Sequence, residues 1–246
     1  MRRKNKRAIS GTVAEYVTVL FFYLAMYAFL CYLQYTYGAT EVPKTNDVPV
    51  MLLENIAVNL ILFCGVGVIL MAIFNRGQLL SLTVHEQSVM DSAIWVAVIV
   101  LILLVVDKGI HSIFVASGSV QIESPLITAM KSYFGTPWLI LTVGVPVMFL
   151  GAGLPEEFMR CYVINNGIRL RNGFLSIFAI ILTSVAFTAG HYYQGTEAMV
   201  TIGAVGLILG VVYYIRQSFW TMVFIHTVYN VVVLLIPLVA TAKPPA

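Results

Sequence analysis

Three stretches of this chain place titratable or amide side chains among apolar neighbours. The first is Gly153-Leu-Pro-Glu-Glu-Phe-Met-Arg160, the second Phe187-Thr-Ala-Gly-His191, and the third His226-Thr-Val-Tyr-Asn230. Carboxylates, imidazoles and amides are groups that activate water and hold a developing oxyanion. Glu156 and Arg160 are four residues apart, in the acid-first order that favours pairing on one helix face. Adjacent Glu157 points about 100° away. His226 and Asn230 are also four apart and share a face. No Ser or Cys stands beside either histidine in a way that marks a nucleophile.

Each stretch also has a plainer reading. Glu156 and Arg160 as a structural ion pair would fix helix packing, but that leaves Glu157 unexplained. A lone His191, or an isolated His226/Asn230 pair, can serve as hydrogen-bonding glue between membrane helices. Tyr192 and Tyr193 as interfacial aromatics would place His191 shallow. Asn59 is a similar polar intruder, to which the sequence assigns no role.

The surroundings raise the stakes. The chain has 246 residues, 60% hydrophobic and 10% charged, against roughly 45–50% and about 25% in soluble domains. Mean hydropathy is +0.91. Long continuous apolar runs exclude a soluble enzyme, a disordered chain, a coiled coil and an alternating porin-type barrel. The expected fold is an all-α polytopic membrane protein enclosing an intramembrane polar cavity. A charge at the centre of a membrane helix costs about 2.5–3.5 kcal/mol. Glu156, Glu157 and Arg160 together, unpaired, would cost on the order of 8 kcal/mol, which a polar cavity offsets.

Seven apolar segments are expected, near 13–35, 51–74, 93–106, 138–162, 174–193, 199–215 and 220–239. The first is too long for a cleaved signal peptide. The third is short and must extend at one or both ends. Residues 108–136 read as a loop with an interfacial or re-entrant piece, and an eighth span hidden there would change the topology. With a cytoplasmic N-terminus, ten basic residues fall inside: Arg2, Arg3, Lys4, Lys6, Arg7, Arg76, Arg160, Arg169, Arg171 and Arg216. Four fall outside: Lys44, Lys108, Lys131 and Lys243. That bias follows the positive-inside rule and orients the chain in what is expected to be the cell membrane. The whole chain, 1–246, reads as one membrane domain without an internal repeat.

Glu15, Glu54, Asp91 and Asp107 are expected at the interfaces. Cys31, Cys64 and Cys161 fall in apolar runs and read as small hydrophobic filler. Gly203, Gly206 and Gly210 predict a close helix contact. The basic residues sit at segment edges and form no nucleic-acid patch. Counting from the turns, Glu156 and His191 lie level across a hairpin, and His226 joins them if the polar hairpin 160–172 protrudes. The site would then sit part-way into the bilayer on the cytoplasmic side.

In this order, on separate membrane helices, the three motifs resemble the CPBP family, the CAAX-protease and bacteriocin-processing (Abi) intramembrane proteases. Phe187 to His191 matches FxxxH and His226 to Asn230 matches HxxxN. Glu156-Glu157-Phe-Met-Arg160 is one residue tighter than the common EExxxR. The resemblance covers roughly 135–240, the expected catalytic core. It implies hydrolysis of a peptide bond in a membrane-associated peptide, either a prenylated C-terminus or a leader. Glu156 would be the base that activates water, and His191 would hold that water or shuttle its proton. His226 and Asn230 would stabilise the oxyanion; Glu157, Arg160 and Phe187 would support them. The family has been described both as metal-dependent and as a metal-free glutamate type. There is no His-Glu-Xaa-Xaa-His, and the metal-free reading is preferred; with zinc, the ligands would be Glu156, His191 and His226. The alternative is a non-catalytic scaffold or immunity protein, or a transporter, since intramembrane Glu, His and Arg also build proton relays. A transporter is disfavoured by the absence of an inverted repeat.

Overall fold

The computed structural model describes residues 12–37, 43–74, 88–119 and 124–241, with side chains through 238. The basic residues before 12, together with Arg76 and Lys243, lie outside the described residues. Those described form helices and no strand: α1 (Val13–Tyr37), α2 (Val48–Phe74), α3 (Val89–Ala116), α4 (Pro125–Tyr133), α5 (Pro137–Arg169), α6 (Gly173–Ala189), α7 (Thr196–Arg216) and α8 (Phe219–Thr241).

Six of these, α1, α2, α3, α5, α7 and α8, are long and apolar enough to cross a membrane. The chain is an integral membrane protein. α6, with 17 residues, is shorter; counting it gives the seven apolar segments expected. The short third segment extends at both ends, as length required, into a 28-residue helix. Its N-terminus is capped by Ser88, whose hydroxyl accepts from Asp91 N–H, satisfying one of the orphan donors of the first turn. α4 has nine residues, too few to span.

Polar pairs mark the two ends of the bundle. At one end, the arginine end, Arg169 pairs with Glu15 at 3.2 Å, and Arg216 pairs with Asp91 while lying over the Trp95 ring. At the other, the His111 end, His111 Nδ1 meets Glu197 at 2.7 Å and Gln34 donates to the Gly190 carbonyl at 2.9 Å. Asp91 and His111 are about 30 Å apart along α3 at 1.5 Å per residue, the thickness of a hydrocarbon core.

Glu15 stands at the arginine end but is buried between helices. It is 2% exposed, bound to Arg169 and accepting from the Tyr162 hydroxyl at 3.5 Å. The reason is the length of α5, which continues as helix past its apolar part and lays Arg169 beside the first turn of α1. Within the stretch 160–169, Arg160, Tyr162 and Asn166 are buried against the neighbouring helices.

Small residues bring the helices close. A Cβ on Gly203, Gly206 or Gly210 of α7 would meet Thr188, Phe187 and Ile180 of α6 at 2.9, 3.2 and 2.9 Å. The expected glycine stripe is thus the α6–α7 contact. α5 is widened by π-helical turns at Ile140–Gly144 and Phe149–Gly153, each followed within two residues by a proline, Pro146 or Pro155. A proline has no N–H to continue the ladder, and its ring crowds the carbonyl four residues back.

Candidate active site

Pro155 determines how the carboxylates are presented. It cannot donate to the Gly151 carbonyl, which would otherwise be left unpaired in an apolar interior. Asn59 of α2 supplies the missing donor: its Nδ2 lies 2.6 Å from Gly151 O. The role of Asn59, unassigned from sequence, is thus to satisfy the carbonyl that Pro155 frees. A polar residue in α2 and a proline inside α5 were the two halves of that signal, but the sequence does not pair them.

Directly after this widened turn, α5 carries Glu156, Glu157 and Arg160, 7%, 0% and 0% exposed. Arg160 donates in a short contact to Glu157 Oε1, and its guanidinium lies 4.3 Å from the centre of the Phe187 ring. The expected Glu156–Arg160 pair is replaced by a Glu157–Arg160 pair. Both acids are within helical reach of Arg160; Phe187 from α6 decides between them by fixing where the guanidinium stacks.

His226 of α8 completes the cluster. Its Nδ1 lies 2.8 Å from Glu157 Oε1 and its Nε2 3.6 Å from Glu156 Oε2. A carboxylate only accepts, so Nδ1 carries a proton and Nε2 faces Glu156. Glu156 Oε2 and Glu157 Oε2 are buried without a hydrogen-bond partner among the described residues. α8 can approach this closely because Gly153 has no side chain: a Cβ there would lie 2.3 Å from Thr227 Oγ1 and 3.0 Å from the Val223 carbonyl.

His191 follows the end of α6. Its Nδ1–H donates to the Phe187 carbonyl at 2.8 Å, which leaves Nε2 with the lone pair in the neutral ring. The Phe187 ring packs edge-on against both imidazoles, with centroids 4.7 Å from His191 and 5.8 Å from His226. Tyr27 of α1 closes the far side of Phe187 at 6.4 Å, a neighbour for which the sequence carries no signal. Asn230 lies one turn beyond His226, partly exposed, and makes no side-chain hydrogen bond among the described residues. Glu156, Glu157, Arg160, Phe187, His191 and His226 are therefore brought together, with Asn230 adjoining them along α8.

Glu156 is about 20 Å along α5 from Arg169, Tyr27 about 18 Å along α1 from Glu15, and His226 about 10 Å along α8 from Phe219.

Residues 136–232 match the family model described as type II CAAX prenyl endopeptidase Rce1-like. All three motifs lie inside that match. This segment is similar to that family. The CAAX-protease resemblance carried by Glu156-Glu157, Phe187–His191 and His226–Asn230 falls within the matched residues. No curated protein and no solved structure matches the chain. The helices before the Rce1-like segment, α1 to α4, supply Glu15, Tyr27 and Asn59 to its support.

A zinc site would need three ligating side chains to converge. Among the described residues, no three His, Cys, Asp or Glu side chains gather closely enough to hold a metal ion. His226 Nδ1 is engaged by Glu157 and His191 Nδ1 by the Phe187 carbonyl, which leaves Nε2 of each as the ring nitrogen that could ligate.

Proposed function

We propose that this protein is a glutamate-type intramembrane endopeptidase, acting in the cell membrane with its N-terminus cytoplasmic. Its substrate is a membrane-associated peptide or prenylated protein. The single observation that carries this reading is Glu156 Oε2: buried, without a hydrogen-bond partner among the described residues, and 3.6 Å from the imidazole Nε2 of His226.

Water is a poor nucleophile until a base removes a proton. In this reading Glu156 takes that proton, and the water oxygen bonds to the scissile carbonyl carbon. His191 Nε2 accepts a hydrogen bond from the same water and orients it. Charge then develops on the carbonyl oxygen. His226, held through Nδ1–H by Glu157, donates from a protonated Nε2, and the Asn230 amide is the second donor. The C–N bond breaks, and the leaving amine takes the proton held by Glu156. Glu157 and Arg160 do not touch substrate; they fix the ring of His226. Low dielectric surroundings strengthen each contact.

The test compares the purified protein with Glu156→Gln on two dye–quencher peptides, one farnesylated near its C-terminus and one with a membrane-inserted leader. Loss of the base should lower the rate about 100- to 10,000-fold while helicity is retained. Equal cleavage by the two proteins removes Glu156 as the base.

A further inference from the structure

The last carbonyls of a helix have no partner within it, and those at the end of α6 can be followed one by one. Ala186 O accepts from Gly190 N–H at 3.0 Å, Thr188 O from His191 N–H at 3.0 Å, and Phe187 O from the His191 ring at 2.8 Å. For the next two carbonyls the donors come from α1. Cys31 donates its S–H to Ala189 O at 3.3 Å, and Gln34 Nε2 donates to Gly190 O at 2.9 Å. Between them stands Gly190, where a Cβ would lie 2.6 Å from the Tyr27 ring. Tyr27, Cys31 and Gln34 are spaced i, i+4, i+7, one face of α1.

The Gly190 carbonyl and the His191 N–H belong to one planar peptide group. Gln34 holds its oxygen and Thr188 O holds its hydrogen. A Gly190 carbonyl without its donor is free to turn, and the group that turns is the one from which His191 hangs. The ring turns with it, because its Nδ1 is tethered to the Phe187 carbonyl.

We infer that α1 sets the position of His191, with Gln34 as the positioning residue and Cys31 and the Tyr27–Gly190 contact as its supports. α1 ends long before residues 136–232, which match the family model, so the site depends on a helix outside that match. This inference rests on the protease reading above, in which His191 Nε2 orients the attacking water.

Two measurements on the full chain in detergent test it. The control is Tyr16→Phe, which removes another α1–α6 hydrogen bond, from the Tyr16 hydroxyl to Leu175 O at the opposite end of α6. In the first, the histidine rings carry a nitrogen isotope label, and the His191 resonances are those lost in His191→Ala. Gln34→Leu keeps the bulk and removes the donor; it should shift the His191 resonances, while Tyr16→Phe leaves them in place. Cys31→Ala should shift them in the same way, and Cys31→Ser, which supplies a hydroxyl donor, should return them. Unmoved His191 resonances in Gln34→Leu overturn the inference; should that protein not fold, unmoved resonances in Cys31→Ala overturn it.

The second measurement is cleavage of the farnesylated and leader peptides. Gln34→Leu should lower kcat about 10- to 100-fold through the misplaced ring and change KM by less than about twofold. Tyr16→Phe should keep kcat. An unchanged kcat in Gln34→Leu, or an equal fall in Tyr16→Phe, overturns the inference. No cleavage by the unsubstituted protein overturns the protease reading, and the inference as a statement about catalysis falls with it. The His191 resonances tell the two failures apart, since they respond to Gln34→Leu whether or not a peptide is cut.

Discussion

His226 stands between the two carboxylates of one helical turn: Nδ1 is 2.8 Å from Glu157 and Nε2 is 3.6 Å from Glu156. Consecutive residues of a helix point about 100° apart, so one imidazole meets both only where another helix comes very near. That proximity divides the pair. Glu157 is tied to Arg160 as well, while Glu156 Oε2 has no hydrogen-bond partner among the described residues.

Removing one partner of the buried Glu157–Arg160 pair should destabilise more than removing both. Glu157→Gln leaves an uncompensated buried guanidinium and should cost about 3–5 kcal/mol. Glu157→Gln with Arg160→Met should cost clearly less than the two single changes added together. Thermal unfolding in detergent across the four proteins measures the coupling; simple additivity would show that the pair is not energetically linked.

The approach of α8 depends on Gly153. Gly153→Ala places a methyl group 2.3 Å from Thr227 Oγ1, an overpacking expected to cost about 1–3 kcal/mol and to move His226 away from Glu156. Peptide cleavage should fall with it. Adding Thr227→Ala removes the nearest clashing atom and should recover part of both losses. Unfolding temperature and cleavage rate, followed in parallel, decide the matter.

Asn59→Ala should cost about 1–3 kcal/mol, because the Gly151 carbonyl loses its donor in a buried setting. The loss should shrink when Pro155→Ala restores a backbone N–H four residues after that carbonyl. A stability cycle over Asn59 and Pro155 checks it: an Asn59→Ala loss that is the same with and without the Pro155→Ala change contradicts the linkage.

Cleavage should survive prolonged dialysis against a chelator, since the proposed base and oxyanion donors are side chains. Activity that disappears and returns only with added zinc would reassign Glu156 and His226 as ligands and set the metal-free reading aside.

Much of this protein was written in the order of its residues. Apolar run length alone specified a helical membrane chain, because a bilayer leaves no water to satisfy an open backbone. The places of Glu156, His191 and His226 stood out because ionisable groups in apolar helices are costly and need compensation. The glycine stripe of α7 was legible for a similar reason, since its spacing puts three missing side chains on one face. Partner choice was not legible. Local spacing allowed Glu156 or Glu157 to take Arg160, and the answer came from Phe187 on another helix. Asn59 and Gly151 are 92 residues apart, and nothing in either segment announces the other. The burial of Glu15 depends on the end of α5, which lays Arg169 beside it. Sequence specifies which groups must be shielded from lipid, a cost each residue carries by itself. Which groups shield one another depends on helix lengths, glycine contacts and one widened turn acting together, and only the packed bundle decides that.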